Sequence, residues 1–149
     1  MVTIRAFEPR DAEAVSTVIR RTMATSNSAD YTMERLQPLM EYFSPAKVLL
    51  LSYERICLVA EVDEHVVGTI ALEGNELCTF FILPEFQGMS IGSQLLTEIE
   101  RLAVATGLDA IHMDASLTGA AFYERRGYRR TGVDIEGTAG TQVGMVKQL

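Results

Sequence analysis

Residues 80–96, F-F-I-L-P-E-F-Q-G-M-S-I-G-S-Q-L-L, leave the chain few ways to fold. The apolar run Phe80, Phe81, Ile82, Leu83 reads as a buried strand, and Pro84 ends it because proline brings no N–H to a ladder. A turn of small and polar residues follows, with Gly88, Ser90 and Gly92. Apolar residues then recur at Ile91, Leu95, Leu96, Ile99, Leu102 and Ala103, the period of a helix with one buried face. A strand therefore enters a helix through a tight turn. The unpaired N–H groups of the first helical turn and the positive end of the helix dipole converge on one point. Such a point suits an anion, and small residues let a phosphate approach the backbone closely. Neither G-x-x-x-x-G-K-[ST] nor G-x-G-x-x-G is present, which sets aside the two best-known phosphate fingerprints. The turn by itself is equally compatible with phosphate binding and with a simple strand–helix connection.

The rest of the chain supplies a sheet for this unit. Val2 to Phe7 alternates as a first strand. Pro9-Arg10-Asp11 breaks it, with Asp11 as expected N-cap of a helix marked by Ala12, Val15, Val18, Ile19 and Met23. A second helical stretch runs from about Thr32 to Tyr42, with a kink or early end expected at Pro38. Ser44-Pro45 starts a short helix, serine as cap and proline in its first turn. Ile56–Val62 and Val66–Glu73 form an antiparallel hairpin around Asp63-Glu64-His65. Gly74-Asn75 turns into a third strand that ends at Leu83. The near-continuous apolar pattern of this hairpin implies that both its faces are covered. After the long helix, capped near Gly107, Asp109 to Asp114 is a strand parallel to Phe80–Leu83 through a right-handed crossover. Ser116 caps a short helix that Gly127 ends. Strands from Tyr128 and from Gln142 to Leu149 complete the chain, pairing antiparallel. The expectation is one domain over residues 1–149.

Composition narrows the partners. The chain has 13 Lys+Arg against 20 Asp+Glu, a formal charge of −7, which argues against a nucleic-acid surface and mildly favours a cationic acceptor. No apolar run approaches the roughly 18 residues of a membrane span, and Met1 to Phe7 shows no secretory pattern, so a cytoplasmic location without a membrane partner is expected. Cys57 and Cys78 read as buried free thiols rather than a disulfide framework. His65 and His112 lie without ligand spacing, so no metal is expected. His65 should be exposed at its turn, and His112 should be core or partly buried.

Gln87-Gly88-Met89-Ser90-Ile91-Gly92 resembles the Q/R-x-x-G-x-G/A motif of the GNAT superfamily of acyl-CoA-dependent N-acyltransferases. Ser90 stands at the first motif glycine. Phe122-Tyr123-Glu124-Arg125-Arg126-Gly127-Tyr128 resembles the second GNAT signature, F-Y-x-x-x-G-F/Y. Ser116 and Gly119 stand where the family often carries asparagine and alanine. The two motifs, in this order and within this strand and helix pattern, agree with the family over nearly the whole chain.

The resemblance implies an α/β (α+β) fold of GNAT type, with a central mixed sheet of about seven strands flanked by helices. It implies an N-acetyltransferase that takes acetyl-CoA as co-substrate and a small-molecule or peptide amine as acceptor, and it leaves open a homodimer through the C-terminal strands. Backbone groups of Phe81, Ile82 and Leu83 would hold the pantetheine arm. Gln87, Gly88, Met89, Ser90, Ile91, Gly92 and Ser93 would hold the pyrophosphate, with Ser116 and Tyr123 also on the cofactor. Tyr123 would protonate the leaving thiolate as general acid. Glu73 and Glu76 are candidates for the base, and Asp114 is a third. Asp30, Tyr31, Glu34 and Glu41 are polar candidates for the acceptor side. A non-catalytic acyl-CoA-binding module is the alternative.

Overall fold

The computed structural model describes residues 1–25, 32–137 and 140–149. Its elements are β1 (Val2–Ala6), α1 (Ala12–Thr25), α2 (Met33–Tyr42), α3 (Pro45–Ser52), β2 (Ile56–Val62), β3 (His65–Glu73), β4 (Glu76–Ile82), α4 (Ile91–Ala105), β5 (Ala110–Ala115), α5 (Ala120–Glu124), β6 (Arg129–Gly137) and β7 (Gly140–Gln148). One seven-stranded sheet runs in the order β1-β2-β3-β4-β5-β7-β6. Every pairing is antiparallel except β4 with β5, as the crossover through α4 requires. The last strand does pair with β6, and it also inserts between β5 and β6.

Helices cover both faces. α4 places Ile91, Leu95, Leu96, Ile99 and Ala103 at 1% exposure or less against Leu58, Ile70, Leu72 and Ile111. Each large aliphatic side chain so buried contributes about 1.5–3 kcal/mol. On the opposite face Val15, Ile19 and Met23 of α1 meet Val48 of α3 and Val59 of β2. The central hairpin is thus covered on both sides, as its sequence implied. The hairpin turn holds Asp63 and Glu64 at φ +50° and +66°, and His65 is exposed.

Three local expectations need correction. Asp11 does not cap α1. It ends a 3₁₀ turn, Pro9–Asp11, where its buried carboxylate accepts two bonds from the Arg5 guanidinium, both 2.8 Å, and one from the Glu8 N–H. Arg5 also reaches Glu61, at 2.9 Å. Pro38 does not end α2, which continues to Tyr42. His112 is exposed, because strand alternation gives the buried side of β5 to Ile111, Met113 and Ala115. Among the described residues no helix is long and apolar enough to cross a membrane.

Candidate active site

β4 is bonded on one edge and open on the other. Toward β3 it is in register from Gly68↔Ile82 to Glu73↔Glu76. Toward β5 only Glu76↔His112 is in register, beside a bond from the His112 N–H to the Asn75 carbonyl at 2.9 Å. From there to Ile82 the two parallel strands part, and β4 keeps an unpaired edge. The Leu83 N–H bonds the Val67 carbonyl at 2.9 Å, so Leu83 and, by alternation, Phe81 face β3. The backbone groups directed at the open edge are therefore those of Ile82 and Phe80. Of Phe81, Ile82 and Leu83, the three residues expected to hold a pantetheine arm, Ile82 directs its backbone groups at this edge, while those of Phe81 and Leu83 face β3.

A bulge lies within this edge. Ile70 pairs with Phe80 and Leu72 with Leu77, so Ala71 of β3 faces two residues of β4, Cys78 and Thr79. A bulge re-aims the backbone and increases local twist. It marks the point where β4 leaves β5.

The turn after β4 is built to stay open. A 3₁₀ turn, Pro84–Phe86, follows the strand. The Gln87 side-chain amide donates to the Ile82 carbonyl at 3.0 Å, which ties the turn back to the end of β4. Gly88 has φ +78° with open space where a side chain would stand, and Met89 is exposed. Ser90 is the N-cap of α4 at φ +65°, in the left-handed region that usually takes glycine. The N–H groups of Ile91, Gly92 and Ser93 then begin the helix. At Gly92 an added Cβ would stand 3.1 Å from Ile82 Cδ1 and 3.4 Å from Phe122 Cζ. Glycine here draws the start of α4 against β4 and α5 at once.

α5 brings the second motif to the same place. Ser116 Oγ accepts the Gly119 N–H at 3.0 Å and so starts this helix. The Tyr123 ring lies 6.0 Å from Phe80, 5.3 Å from Phe122 and 5.7 Å from Tyr128, centroid to centroid. Its hydroxyl has no hydrogen-bond partner among the described residues. No buried side-chain oxygen there lacks one, so this hydroxyl reaches solvent-accessible space. Burial of the ring pushes the phenol pKa up, so the group holds its proton through the neutral range. The Tyr128 hydroxyl, in contrast, is tied to Glu100 at 2.8 Å.

The carboxylates separate. Glu73 is held by the Arg55 guanidinium at 2.9 Å. Glu76 has no side-chain partner among the described residues and stands opposite His112 across the last paired position before the strands part. Asp114 is exposed on the same face of β5 as His112. Of the acceptor-side candidates, Glu34 and Glu41 are exposed on α2, Glu41 accepting from Gln37 at 3.3 Å. Asp30 and Tyr31 lie outside the described residues. Burial raises both thiols, Cys57 to about 11, so neither is a ready nucleophile. No group of three potential metal ligands occurs among the described residues.

Residues 27–149 match the acetyltransferase (GNAT) domain family. The chain belongs to the GNAT acetyltransferase family. A peptidyl-lysine N-acetyltransferase, YjaB, from Salmonella typhimurium is 27% identical over 135 residues, covering 89% of this chain and 86% of that protein. A GCN5-related N-acetyltransferase from Rhodopseudomonas palustris superposes with a TM-score of 0.90 at 22% identity, over 99% of this chain and 95% of that one. The PaiA N-acetyltransferase of Thermoplasma acidophilum, solved with coenzyme A, gives 0.88 at 23% identity over 100% and 99%. These two likenesses establish the GNAT fold. Motif reading alone missed two residues that the fold brings to this GNAT site. Thr22, buried on α1, donates to the Ile82 carbonyl at 3.2 Å, and Arg126 reaches the first turn of α4. A signal for the second was present, since no lysine or arginine occurs between Arg55 and Arg101.

Proposed function

We propose that this N-acetyltransferase binds acetyl-CoA along the open edge of β4 and transfers its acetyl group to a primary amine by direct attack. The observation that carries this reading is the parting of β4 from β5 at Glu76↔His112, with the glycine turn at one end of the opening and Tyr123 beside it. The residues present fit the cofactor. The backbone groups of Phe80 and the Ile82 N–H suit the amides of a pantetheine arm, the Ile82 carbonyl being taken by Gln87 and Thr22. The N–H groups from Gly88 to Ser93 and the α4 dipole suit a pyrophosphate. Bound there, acetyl-CoA supplies an activated acetyl group as a thioester.

The chain's own groups do the rest. Positioning an amine against the thioester removes much of the entropic barrier. Glu76 takes the proton that the incoming amine must lose, directly or through one water. Tyr123, protonated and with its hydroxyl unshared, gives a proton to the departing thiolate. Ser116 and Gln87 shape the cleft: the first starts α5, and the second anchors the turn. Glu73, paired with Arg55, is the weaker candidate for the base. The peptidyl-lysine acceptor named for the Salmonella relative is the acceptor class proposed first here, and the net negative charge suits a cationic substrate. A cytoplasmic location is part of this reading, since free half-buried cysteines fit a reducing compartment. A homodimer is also part of it, through the C-terminal strands, of which β6 is the sheet's outer edge.

The test is thiol release from acetyl-CoA in the presence of lysine-containing peptides and small amines. Glu76→Gln is expected to lower kcat at least tenfold with little change in cofactor affinity, and Glu73→Gln much less. Equal loss in both variants would move the base elsewhere. No turnover with any amine, despite tight CoA binding, would favour a non-catalytic acyl-CoA-binding module.

A further inference from the structure

Coenzyme A is a polyanion, with a pyrophosphate and a 3′-phosphate, and this chain carries a net charge of −7. The segment that forms β2, β3, β4, the turn and most of α4 holds no cation, since none lies between Arg55 and Arg101, while Glu85, Glu98 and Glu100 are all in it. Backbone N–H groups and neutral amide and hydroxyl side chains are therefore what this segment offers a phosphate. The fold brings a cation to the turn from outside. Arg126, just past α5, donates from Nε to Ser93 Oγ at 3.1 Å, and its Nη2 bonds the same oxygen. Nη1 donates to the Phe122 carbonyl at 3.1 Å, and the guanidinium carbon stands 3.7 Å from the centre of the Phe122 ring. Ser93 is the third residue of α4, so its N–H is one of those with no partner inside the helix.

The partners of this guanidinium are all neutral. Arg5, Arg10, Arg21, Arg55, Arg101, Arg130 and Lys147 each face a carboxylate. Arg126 is half-buried, held in orientation by Phe122 and Ser93, and has no counter-ion among the described residues. A guanidinium fixed in orientation by neutral partners keeps its charge available to an anion. The guanidinium fork matches phosphoryl oxygens in geometry.

We propose that Arg126 is a phosphate-binding residue of the cofactor site, held ready by Ser93 and Phe122 beside the N-terminus of α4. It supplies the charge that the turn's own side chains lack. This rests on the acetyl-CoA reading above.

The experiment is calorimetric titration of CoA and dephospho-CoA into the wild type, Arg126→Gln, Arg126→Lys and, as a charge-matched control near the far end of α4, Arg101→Gln, each at several salt concentrations. Loss of one charge-assisted contact is expected to weaken CoA about ten- to a hundredfold in Arg126→Gln. Arg126→Lys should recover part of that and Arg101→Gln should match the wild type. Affinity of the wild type should fall with salt more steeply than that of Arg126→Gln. An equal loss for dephospho-CoA would assign the contact to the pyrophosphate, and a smaller one to the 3′-phosphate. Unchanged affinity in Arg126→Gln overturns the proposal, as does weaker binding with an unchanged salt dependence and a lowered melting temperature, the mark of a purely structural clamp. Should Arg126→Gln fail to fold, Arg126→Lys decides: a salt dependence parallel to the wild type supports the proposal, and affinity equal to the wild type with no salt dependence in either overturns it. A wild type that binds no CoA would instead remove the cofactor reading itself.

Discussion

Ser90 holds its backbone at φ +65°, where a side chain costs roughly 1–2 kcal/mol relative to glycine. The sequence showed that serine replaces a motif glycine, but its effect on the molecule lies in the backbone angle, which only the folded turn reveals. Ser90→Gly relieves that strain and adds chain entropy to the unfolded state, about 0.5–1 kcal/mol the other way. Urea unfolding should thus find Ser90→Gly within about 1 kcal/mol of the wild type, and Ser90→Val clearly less stable. A Ser90→Gly variant destabilised by much more would mean that the serine side chain has a structural partner of its own. Tyr123 was legible from its motif. Its open hydroxyl was not, because that depends on Phe80, Phe122 and Tyr128 packing around the ring and leaving the oxygen free. Tyr123→Phe should lower kcat about a hundredfold while the Kd for CoA stays within about twofold; unchanged kcat would remove the assigned role. Asp11 was misread because the local pattern of a cap hid a long-range ion pair. The Arg5 guanidinium bonded to it holds the Asp11 carboxyl below its usual range. A carboxyl depressed in the folded state contributes stability above its unfolded value, near 3.9, and loses that contribution as pH falls through the lower folded value. Asp11→Asn should therefore lower stability at pH 7 and shrink the wild type's advantage in acid. A constant difference from pH 7 to pH 2 would contradict this.

At the scale of elements, β4 and α4 were readable because each carries its own period and its own stop signals. Pro84 ended the strand, and of the α4 residues its period picked out all are buried except the half-buried Leu102. What the period could not show is the bulge at Cys78 and Thr79 or the single registered pair with β5, since both depend on partners distant in sequence. α4 is fixed by burial along its length and by close approach at its start. Ile99→Ala should cost about 2–5 kcal/mol as a cavity opens against the sheet. At Gly92, alanine's Cβ is tight only against the flexible end of Ile82, touches the Phe122 ring at ordinary contact distance and adds helix propensity, so Gly92→Ala should be tolerated. Gly92→Val should cost about 1–3 kcal/mol and weaken CoA binding, because α4 must move off β4 and α5. Equal stability and affinity in Gly92→Val would show that the approach of these elements is not what shapes the turn.

For the whole molecule, the succession β2-β3-β4-β5 and the covering of both faces follow from two apolar hairpin strands and a strand–helix–strand crossover, all visible in the sequence. The insertion of β7 between β5 and β6 was not, because antiparallel pairing with β6 alone satisfied the local pattern. That insertion gives β5 a second partner and frees its other edge to part from β4. The place of Arg126 is likewise a product of the whole fold: α5 must come against the first turn of α4 before a cation reaches a segment that has none. The central claim is that the opening between β4 and β5, with the turn at its end, binds acetyl-CoA. Calorimetric titration of the folded protein with acetyl-CoA tests it most directly. Saturable binding at one site per chain, with a melting temperature that rises with ligand concentration, is the predicted result. No heat and no thermal shift from a protein shown to be folded would contradict it.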